Sequence, residues 1–230
     1  MVKLIQSMQN LNKFNHIKIH TPYSICEGAV RINDLAEFCK KNKILCVGLS
    51  DTSNLCGALE FSENISKSGT QPIIGTQINF SYGGEIGLLP IIAKNNDGYK
   101  NIMELSSKSY LDNDGMSENH CNLNDLLKIN KELIVLSGSI NGLVGKLFNK
   151  GRFNEINQIY KLLKENYKND FYIEIQRHGD LNEVGFERYN LNKSKELDIP
   201  IIATNEVYYL EKEMHEAHDA LICIGNKTYI

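Results

Sequence analysis

Several common signatures are missing from this sequence, and each absence narrows what the chain can be. Its six cysteines (Cys26, Cys39, Cys46, Cys56, Cys121, Cys223) are scattered and form no C-x-x-C pair. That argues against a zinc site or disulfide framework and for reduced, partly buried thiols, as in a cytoplasmic protein. No apolar run approaches membrane-spanning length, and the opening MVKLIQSMQNLNKFN breaks its apolar residues with Lys, Gln, Ser and Asn, so it has no secretory core. An excess of one charge is missing too. The net charge of −3 gives no general attraction for a polyanion, so any contact with DNA needs a local patch or a partner. The chain has no Walker loop, no G-x-S-x-G, no striping of basic residues, and no linker, repeat or low-complexity tract.

What is present is an alternation of two periodicities in a chain of 230 residues, enough for one sizeable core. Hydrophobic content of 42% and charged content of 23% are those of an ordinary globular protein. Strand-like runs are HIKIH (16–20), CVGLS (46–50), PIIGTQINF (72–80), GLLPIIAK (87–94), LIVLSG (133–138), DFYIEIQ (170–176) and IPIIATN (199–205). Between them lie NDLAEFCKKN, CGALEFSENISKSG, GYKNIMELSSKSYL, GLVGKLFNKG, FNEINQIYKLLKENY and FERYNLNKSKELD, each with apolar residues at three- and four-residue steps. This predicts a parallel, right-handed α/β architecture whose seven strands suggest a barrel slightly smaller than the eight-stranded type. An open doubly wound sheet is the alternative, although no glycine-rich phosphate loop follows the first strand. SYGGEIG (81–87) predicts a hairpin and hence one antiparallel pair. LDNDGMSENHCNL (111–123) reads as a loop.

The stretch KFNHIKIHTPYSICEG places His16, Lys18 and His20 on one strand face, because side chains alternate along a strand. A His-x-His pair on such a face can present two imidazoles to a metal, but here a lysine stands in the middle. In a parallel barrel the carboxyl ends of strands gather the functional groups. Those ends supply His20, Asp51, Gln77, Ser137, Ser139, Glu174, His178, Asn205 and Glu206, and the first turn adds Glu27. Such a ring could suit two or three hydrolytic metals, although polar residues mark strand ends in any barrel. His215 and His218 are three apart, whereas H-E-x-x-H needs four, so they read as surface or packing residues. DNDG (112–115) lacks the further ligands of a calcium loop and reads as a polar turn.

With these segments in order, the chain resembles the N-terminal polymerase-and-histidinol-phosphatase (PHP) domains of bacterial replicative DNA polymerase III alpha subunits. The carriers run from Phe14 to about Gly225: FNHIKIHTPYSICEG, GLSDTSNLCGALEF, QPIIGTQINF, IIAKNNDGYKNIMELSSKSYL, IVLSGSINGLVG, FYIEIQRHG, IPIIATNEVYYL and AHDALICIG. The resemblance implies a distorted (β/α)7 TIM-like barrel, with residues 1–230 as a single PHP domain and an N-terminal piece of a much longer polymerase chain. It implies a cytoplasmic subunit of the replication holoenzyme. DNA synthesis, its Mg-dependent active site and the hold on DNA would then lie further along the full-length chain.

The same resemblance supplies a ligand pattern to compare. Metal-competent members carry His-x-His where this chain has Lys18 and His20, and Asp in the next turn where it has Glu27. They carry His after the second-strand aspartate, where Thr52 follows a retained Asp51. Gln77 replaces a glutamate, Lys100 a histidine and Ser139 a cysteine, while Glu206 and Tyr208 replace the final Asp-x-His. Only His20 is kept, and Glu27 and Glu206 are conservative. The pattern implies a vestigial cleft with no catalytic residue, metal or cofactor of its own. Lys18 is then expected to fill the space of a metal and neutralise Glu27, Asp51 or Glu206. The expected role is a scaffold that docks the epsilon proofreading exonuclease among other holoenzyme subunits, with no membrane contact. The rival is a metal-dependent phosphoesterase, a residual 3′–5′ exonuclease or pyrophosphatase, using His20, Glu27, Asp51, His178 and Glu206.

Overall fold

The structure, a computed structural model, describes residues 14–113, 115–129 and 131–229. The opening MVKLIQSMQNLNK and Asp114 of the DNDG turn lie outside the described residues. In chain order the elements begin with α1 (Ile32–Asn42), β1 (Cys46–Thr52), α2 (Ala58–Lys67), β2 (Gln71–Tyr82) and β3 (Glu85–Ala93). They continue with α3 (Asn96–Leu111), β4 (Cys121–Asn122), α4 (Leu123–Lys128), β5 (Leu133–Leu136), α5 (Leu143–Asn149) and α6 (Phe153–Tyr167). The last are β6 (Phe171–Ile175), α7 (Leu181–Leu197), β7 (Ile201–Ala203) and α8 (His215–Asn226).

Local chemistry sets several of these boundaries. Asn95 caps α3 by accepting from the backbone N–H groups of Asp97 and Gly98, and Asn122 and Asp125 form a reciprocal capping box at α4. Sequence reading missed the short α4 because only Leu123, Leu126 and Leu127 carry its apolar face. The expected hairpin forms at Gly83–Gly84, whose φ angles of 57° and 78° suit the tight turn between β2 and β3.

The sheet runs β1-β2-β3-β5-β6-β7, with β4 paired to β2 off that path. Pairs β1–β2, β5–β6 and β6–β7 are parallel, whereas β2–β3 and β3–β5 are antiparallel. The architecture is therefore an α/β fold with a curled half-barrel sheet rather than seven regular parallel units. The hairpin reverses β3 relative to β2, and β5 runs antiparallel to it on the other side.

The expected strand 16–20 is reduced to isolated bridges of Ile19 with Leu49 and Val207. Its backbone is nonetheless held on both sides. Ile19 N–H donates to Gly48 O and His20 N–H to Val207 O, each at 2.9 Å, and Val207 N–H donates to Lys18 O at 2.9 Å. A Cβ on Gly48 would stand 2.3 Å from Ile17 O, so only glycine lets the segment lie this close to β1.

Two cores flank this framework. The larger packs Ile78, Phe80, Leu89 and Ile91 of the hairpin against Ile102 and Leu105 of α3 and Ile156, Ile159 and Leu163 of α6. The smaller packs Ile19 and Leu49 against Leu35 and Cys39 of α1 and Phe61 and Ile65 of α2. Trimming any one of these buried aliphatics to alanine costs about 2–5 kcal/mol. All six cysteines are free, as their scatter suggested.

Candidate functional site

The 16–20 segment turns Lys18 and His20 inward beside the carboxyl ends of β1, β6 and β7. Lys18 is 1% exposed. Its Nζ lies 2.9 Å from Glu174 Oε1 and bonds Glu206 Oε1 as well. Burial pulls the lysine toward neutrality, but Glu174 and Glu206 more than offset this and raise its pKa. The converse holds for Glu206: burial favours the neutral acid, yet the Lys18 charge and the His20 hydrogen bond hold its carboxyl well below the usual range. Of the three partners expected for Lys18, Glu206 is found. Glu27 and Asp51 are not partners, and Glu174 takes that place.

Polar neighbours complete this cluster. Gln176 Nε2 donates to Glu174 Oε1 at 2.7 Å and to Glu206 Oε1 at 3.2 Å, and the Thr204 hydroxyl donates to Glu174 Oε1. The Ser137 hydroxyl accepts the Glu174 backbone N–H at 2.9 Å. His20 Nε2 lies 2.6 Å from Glu206 Oε2, and its ring stacks on Tyr208 with centroids 4.4 Å apart. Gln77 Nε2 donates to Glu206 Oε2 at 3.1 Å. Sequence reading passed over Gln176 and Thr204; the alternation in YIEIQ, which puts Gln176 on the face of Glu174, is the signal that could have found the first.

Asp51, fully buried at the end of β1, is held differently. Its Oδ1 accepts from Thr21 N–H and the Ser24 hydroxyl, and its Oδ2 from the Thr21 hydroxyl, all at 2.7 Å. Among the described residues no lysine or arginine pairs with it, and burial outweighs these bonds and the His20 contribution, so its pKa is raised. Because the Ser24 hydrogen goes to Asp51, the Ser24 oxygen is left to accept Thr52 N–H at 3.1 Å and faces His20 Nδ1 at 3.3 Å. Thr52 in turn donates its hydroxyl to Glu27 Oε2 at 2.6 Å.

A cavity of about 650 Å³ opens over these groups, and Glu27, Thr52, Gln77, Ser139, Glu206 and Tyr208 line it. His178 and Asn205 line it as well. The His178 ring is engaged by another residue of the cavity wall, with Nδ1 2.8 Å from Glu183 Oε1. Lys100 is not part of the cleft. It projects from α3 into solvent and pairs with Asp97 at 3.0 Å. The buried residues of that helix include Gly98, Ile102 and Leu105, and a residue two positions from both Gly98 and Ile102 faces away. His218 takes a packing role, beside the cleft. Its Nε2 is 2.7 Å from Glu27 O, and its ring packs against Tyr208 and Tyr209.

A metal ion does not suit this donor set. Among the described residues no three His, Cys, Asp or Glu side chains are placed to hold one. An ammonium already stands between the two carboxylates that face each other, and a cation there would meet like charge.

The geometry can now be set beside known proteins. The profile of the PHP domain family matches residues 16–178. The chain belongs to the PHP domain family. Curated relatives named DNA polymerase III subunit alpha include one from Caulobacter vibrioides, 33% identical over 225 residues, covering 94% of this chain and 20% of the relative. Another, from Rickettsia conorii, is 36% identical over 214 residues, covering 93% and 18%. The chain spans about a fifth of the length of these relatives. Among solved structures, a Bifidobacterium adolescentis protein provisionally named a metal-dependent phosphoesterase aligns with a TM-score of 0.59 at 10% identity, covering 84% of this chain and 87% of the other. An amidohydrolase from Chromobacterium violaceum aligns with a TM-score of 0.55 at 7% identity, covering 91% and 97%. These two show a shared fold. In this PHP domain, the cation facing the buried acids is the chain's own lysine.

Proposed function

We propose that this PHP domain is a non-catalytic scaffold within a cytoplasmic, replicative DNA polymerase III alpha subunit, where it docks the epsilon proofreading exonuclease beside other holoenzyme subunits. Nucleotidyl transfer, its magnesium and the grip on DNA belong to the rest of that longer chain. Residues 1–230 form one domain, and the 16–20 segment serves as the closing strand of a distorted (β/α)7 barrel. The observation that carries the scaffold reading is Lys18, buried between Glu174 and Glu206. A fixed ammonium supplies the positive charge that these carboxylates need, and unlike a metal it cannot activate a water or polarise a phosphoryl oxygen.

The rival reading, a metal-dependent phosphoesterase, draws on the cavity and on the fold neighbour of that provisional name. It requires an ion to bind beside Lys18. Metal content after incubation with zinc and manganese, together with turnover of a chromogenic phosphate ester and of single-stranded DNA, separates the two. The scaffold reading expects no stoichiometric metal and no turnover. Stoichiometric metal with activity that disappears in His20→Ala would overturn it.

A further inference from the structure

Two buried side-chain polar atoms among the described residues lack a hydrogen-bond partner, Glu174 Oε2 and Asn190 Nδ2. Both residues are almost wholly buried, at 1% and 0% exposure. They come from different elements, β6 and α7, yet they line the same small cavity, of about 10 Å³. That is close to the space one water molecule needs. We infer that this cavity is a binding site for a single structural water that bridges Glu174 on β6 to Asn190 on α7.

The chemistry selects water over other occupants. Glu174 Oε1 is saturated by Lys18, Gln176 and Thr204, which leaves Oε2 as an acceptor in search of a donor. Asn190 Oδ1 accepts the Tyr160 hydroxyl at 2.8 Å, which leaves the amide Nδ2 as a donor in search of an acceptor. A small cation could satisfy the carboxylate but not an N–H, whereas one water accepts from Nδ2 and donates to Oε2. If the amide is turned over, Oδ1 and Oε2 face the cavity together, and a water donates to both. Each orphaned group would otherwise bear an uncompensated burial cost. Ser139 also lines the cavity. The bridge would join the Lys18–Glu174 cluster to the buried Tyr160–Asn190 pair, making one polar chain from the cleft to α7.

A high-resolution crystal structure of the chain tests this directly. The expected result is a single density peak about 2.7–3.2 Å from both Glu174 Oε2 and Asn190 Nδ2. Tyr160→Phe should keep the peak and Asn190→Leu should lose it, since only the second removes the α7 amide that the water contacts. If Asn190→Leu does not fold, the wild-type and Tyr160→Phe maps carry the test. A dry cavity, a Glu174 carboxyl rotated so that Oε2 meets a protein donor, or an anomalous peak there in rubidium-containing crystals would overturn the inference.

Discussion

Two acids, Glu206 lining the cleft and Asp51 fully buried beneath it at the end of β1, are held by opposite means. Glu206 meets the Lys18 ammonium and the His20 ring, and its pKa is lowered. Asp51 meets two hydroxyls and one backbone N–H, and its pKa is raised. Burial pushes both acids toward the neutral form, so the difference lies in the compensation. At Asp51 three neutral donors fall short of the desolvation penalty, whereas at Glu206 the Lys18 charge together with the His20 hydrogen bond exceeds it. The cleft therefore depends on a charge built into the chain on one side and on a hydroxyl cage on the other.

Removing the cation breaks the comparison most severely. Lys18→Met leaves Glu174 and Glu206 buried against each other and should destabilise the fold by about 3–5 kcal/mol in urea denaturation. The triple variant Lys18→Met, Glu174→Gln, Glu206→Gln should recover most of that loss, since no charge is then left unpaired. Asp51→Asn tests the cage. It turns an acceptor into a donor opposite Thr21 or Ser24 and should cost about 1–3 kcal/mol, less than Lys18→Met.

Acid should separate the two sites by the sign of their response. Glu206 has a depressed folded pKa, so its contribution is full above the unfolded value of 4.5 and is lost as pH falls toward the folded value. The stability gap between wild type and Glu206→Gln should shrink on acidification. Asp51 has a folded pKa raised above 3.8, so the ionised form is a liability at neutral pH that fades as pH falls through that raised value. The gap between wild type and Asp51→Asn should widen in favour of wild type over the same range. Urea midpoints measured across acid pH for the three proteins check both slopes. At the other extreme, Lys100→Ala should leave the urea midpoint unchanged, because its pair with Asp97 is solvent-exposed.

The contrast between Lys18 and Lys100 shows what the sequence could reveal. Period-two alternation in HIKIH puts Lys18 and His20 on one face, and both are buried together in the cleft. Only the family resemblance puts Lys100 among the cleft residues. The three- and four-residue spacing of Gly98, Ile102 and Leu105 on α3 already points it outward. Glu174 was legible as a strand-end acid but not as the partner of Lys18, because 156 residues separate them and pairing across a sheet depends on register. The cage around Asp51 lay in plain view as Thr21 and Ser24 in the turn HTPYS. A short polar turn gives no sign of which acid it will close upon. The seven strand-like runs locate the sheet well, except that 16–20 holds its place through single bridges at Ile19, and β4 is too short for any periodicity to mark it.

The central claim is that Lys18 and Glu206 act as a charge pair inside the cleft. A double-mutant cycle of Lys18→Met and Glu206→Gln, read by urea denaturation at neutral pH, tests it most directly. The account predicts that the double variant is more stable than the sum of the single losses allows, with a coupling of about 0.5–3 kcal/mol. Additive losses would contradict it, because the two groups would then contribute independently.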